Sequence, residues 1–500
     1  MSSLLLRDAR RYGSASRHDI RIAGGRVTAI VPAGSRPALD DEVVELDGRF
    51  VGPGLWDEHV HFTQWVVRRS RLDLSAAGSA HATLDLIAGA LRLRPPEAGS
   101  MLIGYGFRDA LWPDAPTRRA LDAVAGSAAV VLVSADLHCG WLSSAAARRL
   151  GVTLDDSGVL SERPWIDALH GMDHEKPQIT EYAAAAADAA RLGVVGIVDF
   201  ENTDNATEWP ERVAGGVISL RVEASVWPSR LDDAVARGLR TGLALVPGGL
   251  VTAGRLKVVV DGSLNTRTAW CWDPYPGMDL DLPHPCGVAS VPPEELAGLL
   301  GKAARNGIQA AVHAIGDRAN TAVVDTYERL GLTGTVEHAQ LVRAADVARF
   351  ARLGLVASVQ PEHAMDDRDV ADHHWAGRTD RAFAYGSLHR AGVVLRLGSD
   401  APVAPLDPWA AIASATSRSR GDREVWHPEQ RLPIDVALAS SARGRTAVAE
   451  GDVADLVVLD EDPLRAGRDA LRAMPVAGTL LAGRWTWRSG GLGGGGGLGG

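Results

Sequence analysis

The segment PGLWDEHVH at residues 53–61 carries two histidines, His59 and His61, two positions apart. On a β-strand, residues i and i+2 point to the same face. The two imidazoles are therefore placed to chelate one metal ion from the end of a strand. An isolated pair of this kind also occurs among ordinary surface or core histidines, so the interpretation depends on the rest of the chain.

Further residues of metal-ligand type stand at the ends of later predicted strands. They are Lys257, His313, His338 and Asp400. Barrel enzymes collect their catalytic groups at the carboxyl-terminal ends of several strands. Imidazoles and carboxylates suit zinc and similar divalent ions. Taken with the histidine pair, these residues predict a metal centre at one end of a barrel.

The middle of the chain alternates buried-strand patterns with helical patterns. Near-continuous apolar runs such as 192–200 (LGVVGIVDF) and 356–359 (VASV) are typical of parallel strands, and Ala-rich stretches lie between them. This alternation predicts an α/β protein with a (β/α)8 TIM-like barrel over residues 54–444. Residues from about 64 to 185 are too many for one connecting loop. We expect them to form a large insertion after the first strand that roofs the site.

Both ends of the chain are rich in β-strand patterns. Residues 19–31 (DIRIAGGRVTAIV) and 476–487 (VAGTLLAGRWTW) are examples. We therefore predict a small composite β-sandwich domain built from residues 1–53 and 445–488. The tail at 489–500 is almost pure glycine and is expected to be disordered.

Charge and composition narrow the classes of partner. The chain has 500 residues and a formal net charge of −10, which argues against nucleic acid, because phosphate binding needs a basic face. No charge-free run reaches the ~18 residues of a membrane span. The three leucines near the amino terminus are too short a run for a signal peptide. We expect a cytoplasmic protein that acts on a small molecule and has no nucleic-acid or membrane partner. A homodimer is the base-rate expectation for a protein of this size.

Several sequence motifs in a fixed order indicate a family resemblance over residues 19–487. They are PGLWDEHVHF, KVVVDGSLNTRTAW, HAIGDRA, EHAQ, SVQPEHA, GSDAPVAPLDPWAAI and DVADLVVLDEDP. This pattern resembles the amidohydrolase superfamily and, within it, the amidohydrolase 3 family of metal-dependent hydrolases, which includes N-substituted formamide deformylases. The resemblance implies a hydrolase that acts on carbon–nitrogen bonds other than peptide bonds.

The resemblance also implies a site with two divalent metal ions, with zinc expected and manganese or iron as alternatives. His59, His61 and Asp400 would bind the first ion, and His313 and His338 the second. Lys257 would be carboxylated and bridge both ions, since an ammonium cannot ligate a cation but a carbamate has two anionic oxygens. A salt bridge from Lys257 to Asp261 or a neighbouring carboxylate is the alternative.

In the mechanism that this family implies, a metal-activated hydroxide attacks an amide, formamide or cyclic imide. Asp400 would take the proton from the water and return it to the leaving nitrogen. His138, in SADLHCGW, is a candidate donor to the oxyanion. The candidates for substrate contact are Trp112, Glu162, Arg267, Arg318 and Gln360. Packing of the tryptophan and ion pairs of the two arginines with Asp261 and Asp317 are the alternatives.

Three other functions stay open at this point. A mononuclear deaminase of the same superfamily usually lacks the bridging lysine, so Lys257 argues against it. A lactone or ester hydrolase would use the same activated water. A non-catalytic scaffold would have lost ligands, whereas all six candidate ligands are present here.

Overall fold

The computed structural model describes residues 3–34, 41–69, 71–93, 96, 100–171, 177–278, 281 and 283–492. The strands are β1 (Ser3–Arg11), β2 (Arg17–Ala23), β3 (Arg26–Pro32), β4 (Asp41–Glu45), β5 (Phe50–Pro53), β6 (Leu55–Val60), β7 (Leu72–Asp73), β8 (Leu102–Phe107), β9 (Val130–Ser134), β10 (Cys139–Leu142), β11 (Val159–Ser161), β12 (Val194–Asp199), β13 (Arg221–Val226), β14 (Val251–Val259), β15 (Ala310–Ala314), β16 (Thr335–His338), β17 (Val356–Val359), β18 (Val394–Leu397), β19 (Leu456–Leu459), β20 (Val476–Leu481) and β21 (Arg484–Arg488). The α-helices are α1 (Phe62–Arg68), α2 (Ala80–Leu93), α3 (Arg118–Ala125), α4 (Ser144–Leu150), α5 (Glu162–Gly171), α6 (Ile179–Arg191), α7 (Asn205–Ala214), α8 (Leu231–Ala236), α9 (Pro293–Arg305), α10 (Asp317–Leu330), α11 (Ala344–Leu353), α12 (Pro361–Asp366), α13 (Arg368–His374), α14 (Tyr385–Arg390), α15 (Pro408–Ser417), α16 (Ile434–Ser440) and α17 (Arg468–Arg472). Within these described ranges, no helix combines the length and the apolar character needed to cross a membrane.

Eight parallel strands form the central barrel, in the order β6, β12, β13, β14, β15, β16, β17 and β18. All six residues of β12 are buried, as a parallel sheet covered by helices requires. The first and last strands meet through a parallel bridge between Val60 and Ala401, and the backbone amide of Asp400 donates to the carbonyl of His59 at 2.7 Å. The predicted barrel is confirmed.

Gly398 stands at the point where the barrel closes. A Cβ atom built on Gly398 would lie 2.7 Å from the backbone nitrogen of His59, closer than a side chain permits. Glycine is therefore needed here for a close approach of two backbones rather than for a turn. It allows the segment that carries Asp400 to lie directly against the strand that carries the histidine pair.

Strands from both ends of the chain join in one further sheet. Its order is β21, β20, β19, β5, β1, β2 and β3, with β4 paired to β1, and the antiparallel pair β19 and β5 connects the two termini. Buried side chains such as Leu6, Ile20, Leu456 and Leu480 form its core. The eight strands are linked by hydrogen bonds into a single branched sheet rather than two separate ones. Of the expected disordered tail, residues 493–500 lie outside the described residues, and Leu492 is buried in this core.

The insertion forms a third sheet, β7 to β11, covered by α2 to α5. The insertion follows α1, and the last of its described elements, α5, ends at residue 171. The expected boundary near 185 falls inside α6, which buries Ala185, Ala186 and Ala189 in the core shared with β12. Small side chains let α6 approach the barrel closely, so this helix belongs to the barrel and not to the insertion.

The packing of Gly140 against Trp165 yields a test of the insertion. A Cβ atom on Gly140 in β10 would lie 2.2 Å from the indole of Trp165, which is fully buried in α5. We expect Gly140→Ala to destabilise the insertion by about 1–3 kcal/mol, measured as a lower urea midpoint. Gly298→Ala on α9, where an added methyl group meets no atom within 4 Å, is the control and should stabilise by up to about 1 kcal/mol. An unchanged midpoint for Gly140→Ala would contradict this packing.

Candidate active site

The strand ends of the barrel bring the six predicted ligand residues into one cavity of about 160 Å³. They are His59 and His61 from β6 and its end, Lys257 from β14, His313 from β15, His338 from β16 and Asp400 after β18. All of these residues except His61 are buried. The sequence therefore identified residues that the fold does assemble, while their roles as ligands stay a prediction.

Short distances connect the members of this cluster. Oδ1 of Asp400 lies 3.3 Å from Nε2 of His61 and 3.5 Å from Nε2 of His59. Nζ of Lys257 lies 3.2 Å from the same His59 nitrogen. The rings of His313 and His338 have centroids 4.4 Å apart. Among the described residues, His59, His338 and Asp400 have ligand atoms within 4.8 Å of one another, a spacing that one metal ion can bridge.

Glu337 orients His59 from inside the barrel. Its Oε2 lies 2.7 Å from Nδ1 of His59, and both side chains are almost fully buried. When Nδ1 donates to this carboxylate, Nε2 is left with its lone pair facing the cavity, which is the arrangement that metal-binding histidines adopt. Glu337 was not predicted from the sequence, although a carboxylate inside the apolar strand TVEH indicates a buried polar residue with a partner.

Strained backbone aims two of these side chains. His338, Ala339 and Asp400 have φ values of 71°, 43° and 58°, in the left-handed region that favours glycine. Non-glycine residues in such conformations cost on the order of 1–3 kcal/mol each and cluster at functional sites. The chain therefore turns sharply at the ends of β16 and β18, where the imidazole and the carboxylate enter the cavity.

Burial sets the protonation states of the cluster. Burial lowers the pKa of His59, His313 and His338 well below the ordinary value, so these imidazoles are neutral, the form that binds metals. Burial also lowers the pKa of Lys257 to about 8, against the opposing charges of Glu337 and Asp400. A lysine with this pKa has a substantial fraction of neutral amine near neutral pH.

Unpartnered nitrogen atoms show that the cluster fits a metal. Nδ1 of His61 and Nδ1 of His338 are buried and find no hydrogen-bond partner within the part of the chain that the structure describes. A buried polar atom without a partner is rare and calls for a ligand, a water or an ion. Four imidazoles, a carboxylate and a lysine together are a donor set that divalent metals accept.

The insertion contributes His138 to the cavity, with its ring 6.2 Å from that of His313. Nδ1 of His138 lies 3.2 Å from Oε2 of Glu162. Burial would lower the pKa of His138, but the carboxylate outweighs it and raises the pKa to about 9. His138 is thus a cationic donor at neutral pH. Glu162 is outside the cavity lining; it holds His138 and accepts a hydrogen bond from Thr266 at 2.8 Å, and its role as a substrate contact stays a prediction.

The other four expected substrate contacts also lie outside the cavity lining. Trp112 packs on Phe107 in the core of the insertion, and Arg267 is exposed. Gln360 is buried and donates to the carbonyl of Ser358 at 3.4 Å. Their role as substrate contacts stays a prediction, because motifs in connecting loops do not reveal which way a side chain turns.

Arg318 lies in a separate surface pocket, over the rings of Trp270 and Trp272. The alternative ion pairs are not formed within the described residues either. Asp261 accepts hydrogen bonds from the backbone amides at 270, 315 and 316, and Asp317 pairs with Arg381. Asp261 is therefore a support of the backbone and is the partner neither of an arginine nor of Lys257.

The cavity has further walls that the sequence did not reveal. The insertion supplies apolar side chains, namely Leu137, Ile166 and Leu169, and the polar Arg108. His363 lies 3.9 Å from Oδ2 of Asp400, and its place in the word SVQPEHA was the one available signal. The lining therefore combines these apolar side chains with the polar cluster.

Comparisons with known proteins agree with this geometry. The family model described as "Amidohydrolase family" matches residues 42–486. The protein named "Putative amidohydrolase YtcJ" of Bacillus subtilis is 27% identical over 489 residues, which cover 89% of this chain and 90% of that protein. N-substituted formamide deformylase of Arthrobacter pascens is 25% identical over 531 residues, covering 93% and 94%.

A similar fold is found in an uncharacterised metal-dependent hydrolase from Pyrococcus horikoshii. Its crystal structure has a TM-score of 0.74 and 24% identity, and the match covers 94% of this chain and 99% of that one. N-isopropylammelide isopropylaminohydrolase from Burkholderia multivorans follows with a TM-score of 0.55 and 18% identity, covering 98% of this chain and 100% of that one. With a family model spanning most of its length, the chain belongs to the amidohydrolase family.

Proposed function

We propose that this protein is a metal-dependent hydrolase that cleaves a carbon–nitrogen bond in a small amide, formamide or cyclic imide. The observation that carries the proposal is the convergence of four imidazoles, Lys257 and Asp400 in one buried cavity. The similarity to a formamide deformylase supports a carbon–nitrogen bond. The apolar wall from the insertion supports a substrate with an apolar group next to the scissile bond.

The ligand set divides naturally between two divalent ions. His59, His61 and Asp400 would hold the first, and His313 and His338 the second, with Lys257 between them. Zinc is the expected metal, and manganese or iron accept the same ligands. When bound, such ions lower the pKa of water toward ~7 and polarise the substrate carbonyl.

Lys257 is suited to carboxylation. It is 1% exposed, its amine has a pKa of about 8, and Nζ lies 4.4 Å from the centre of the Phe200 ring. The neutral amine attacks carbon dioxide, a C–N bond forms, and one proton is released, which leaves a carbamate with two anionic oxygens. In this form the side chain is an anionic ligand instead of a competing cation.

Asp400 is placed to carry the proton. Burial would raise the pKa of its carboxyl, but the hydrogen bond and the charge of His61 outweigh burial and hold the pKa below the ordinary value. Asp400 is therefore ionised and accepts the proton from the attacking water, then returns it to the leaving nitrogen. His138, held cationic by Glu162, donates to the carbonyl oxygen as negative charge develops there.

One observation favours a second candidate, a mononuclear deaminase. The tight group of His59, His338 and Asp400 would suffice for a single ion. The two candidates differ in the number of metal ions for each chain and in the need for Lys257.

The metal content of the purified protein separates these candidates. We expect two divalent ions for each chain. The protein is purified without chelator and with bicarbonate, and its metal content is measured by elemental mass spectrometry. Lys257→Ala should lower the content below two, because the bridging ligand is lost. Lys302→Ala, a surface lysine on α9, is the control and should keep the wild-type content. One ion in the wild type would favour the deaminase, and none after reconstitution would refute both.

Asp400→Asn tests the proton carrier. An amide keeps an oxygen ligand but cannot accept a proton, so we expect kcat to fall about 10²–10⁴-fold in hydrolysis of N-formyl and N-acyl amines. Metal content should be largely retained. Asp435→Asn, an exposed carboxylate on α16, is the matched control. Undiminished kcat in Asp400→Asn would remove the basis for its role.

The pair of His138 and Glu162 predicts a pH profile. Because the raised pKa of His138 is about 9, its donor form is present below that value and activity should decline as the pH rises through it. Glu162→Gln removes the stabilising charge, so the decline should move toward the ordinary histidine pKa of about 6.5. Initial rates between pH 6 and about 10 measure this shift. Coincident profiles for the two proteins would exclude His138 as the donor.

A further inference from the structure

A second cleft lies beside the active-site cavity and shares Arg108 and Val403 with it. The lining is rich in arginine although the whole chain carries a net charge of −10. Its charged residues are Arg68, Arg69, Arg71, Arg108, Arg420, Asp73, Glu362 and Asp366. Five guanidinium groups thus face three carboxylates, and the cleft is a local reversal of the charge of the protein.

Three of the five arginines have close carboxylate partners. Arg69 pairs with Asp188. Arg108 lies 2.9 Å from Asp366, and Arg420 also binds that carboxylate. Because they are paired, these three arginines contribute little free positive charge to the cleft.

No carboxylate in the described ranges lies this close to Arg68 or Arg71. Arg68 donates to the carbonyl of Pro402, and Asp73, at 4.0 Å, is mostly exposed. Nε of Arg71 is buried without a hydrogen-bond partner, and no carboxylate of the described ranges forms an ion pair with Arg71. Burial and the like charge of Arg108 lower the pKa of Arg68, against the opposing charge of Asp73. Arg68 and Arg71 are half-buried. Guanidinium groups without a close carboxylate repel one another, and an anion bound between them relieves that repulsion.

We propose that this cleft binds an oxyanion, a carboxylate or phosphate, at the end of the substrate that is remote from the scissile bond. The inference rests on the proposed function and names the class of its substrate, an amide with an acidic tail. Val403, three residues after Asp400, and Arg108 line both spaces, so one elongated molecule reaches from Asp400 to Arg71. The planar fork of a guanidinium matches the two oxygens of a carboxylate or phosphate.

Calorimetric titration of the metal-loaded protein tests the site without any turnover. The probes are glutarate, its neutral diamide glutaramide, and inorganic phosphate. We expect glutarate or phosphate to bind the wild type and to bind Arg71→Gln about tenfold more weakly, with Arg71→Lys in between. Arg191→Gln removes the same charge from an exposed position on α6 and should bind like the wild type.

The outcomes separate the possible sources of binding. The probe that binds more tightly in an Arg71-dependent manner identifies the carboxylate or the phosphate as the recognised group. Equal binding by wild type and Arg71→Gln places the anion elsewhere, for example on the metal ions, and overturns the proposal. Glutaramide binding as tightly as glutarate overturns it as well, since charge would then not be recognised.

Kinetics test whether the anion is part of the substrate. With N-formyl-6-aminohexanoate, Arg71→Gln should raise KM about tenfold and leave kcat unchanged, while the methyl ester should show no difference between the two proteins. An equal rise of KM for both compounds would overturn the proposal. If neither compound is hydrolysed but glutarate binding still depends on Arg71, the proposed function fails and the anion site stands.

Discussion

The whole active site depends on the way in which the first and last barrel strands meet. The backbone amide of Asp400 donates to the carbonyl of His59, and Gly398 permits that approach. The buried carboxylate of Asp57 accepts hydrogen bonds from the amides of Ser399 and His59 and so ties both strands together. Because His59, His61 and Asp400 stand within these same few positions, closing the barrel also brings these three side chains together. A barrel left open would separate Asp400 from the two histidines.

A second set of polar contacts fixes the insertion above the barrel. The carboxylate of Asp136 accepts from Oγ of Ser263 at 2.7 Å, and Glu162 accepts from Thr266. Both barrel partners follow β14, the strand that carries Lys257. His138 lies between Asp136 and Glu162 in the sequence of the insertion, so these bonds set its position relative to the histidines of the barrel. A roof built on a separate sheet thereby contributes an imidazole to a cavity whose other histidines come from the barrel.

The sequence predicted the barrel and the ligand cluster because both follow local patterns. A buried parallel strand is a short apolar run, so a histidine or lysine at or near its carboxyl end stands out. Glu337 escaped notice because its partner His59 is 278 positions away, and no local pattern reveals such a pair. Arg267 has a φ of 59°, a backbone conformation that no local pattern predicts, and its side chain is exposed. The sheet of the insertion was also not predicted from the sequence, because a strand as short as the two residues of β7 shows no periodicity.

The energetics of the centre link its chemistry to the stability of the fold. Neutral imidazoles, an ionised carboxylate and a lysine are buried together, and within this cluster Nδ1 of His61 and Nδ1 of His338 lack partners among the described residues. Burying such groups costs free energy that hydrogen bonds within the cluster recover in part. A divalent cation satisfies the lone pairs and the negative charge at once, so its binding adds to the stability of the folded chain. The same dry surroundings strengthen each charge–charge interaction, because a low dielectric screens them weakly. Burial therefore raises the free energy of the metal-free centre and strengthens its charge–charge interactions when a metal is bound.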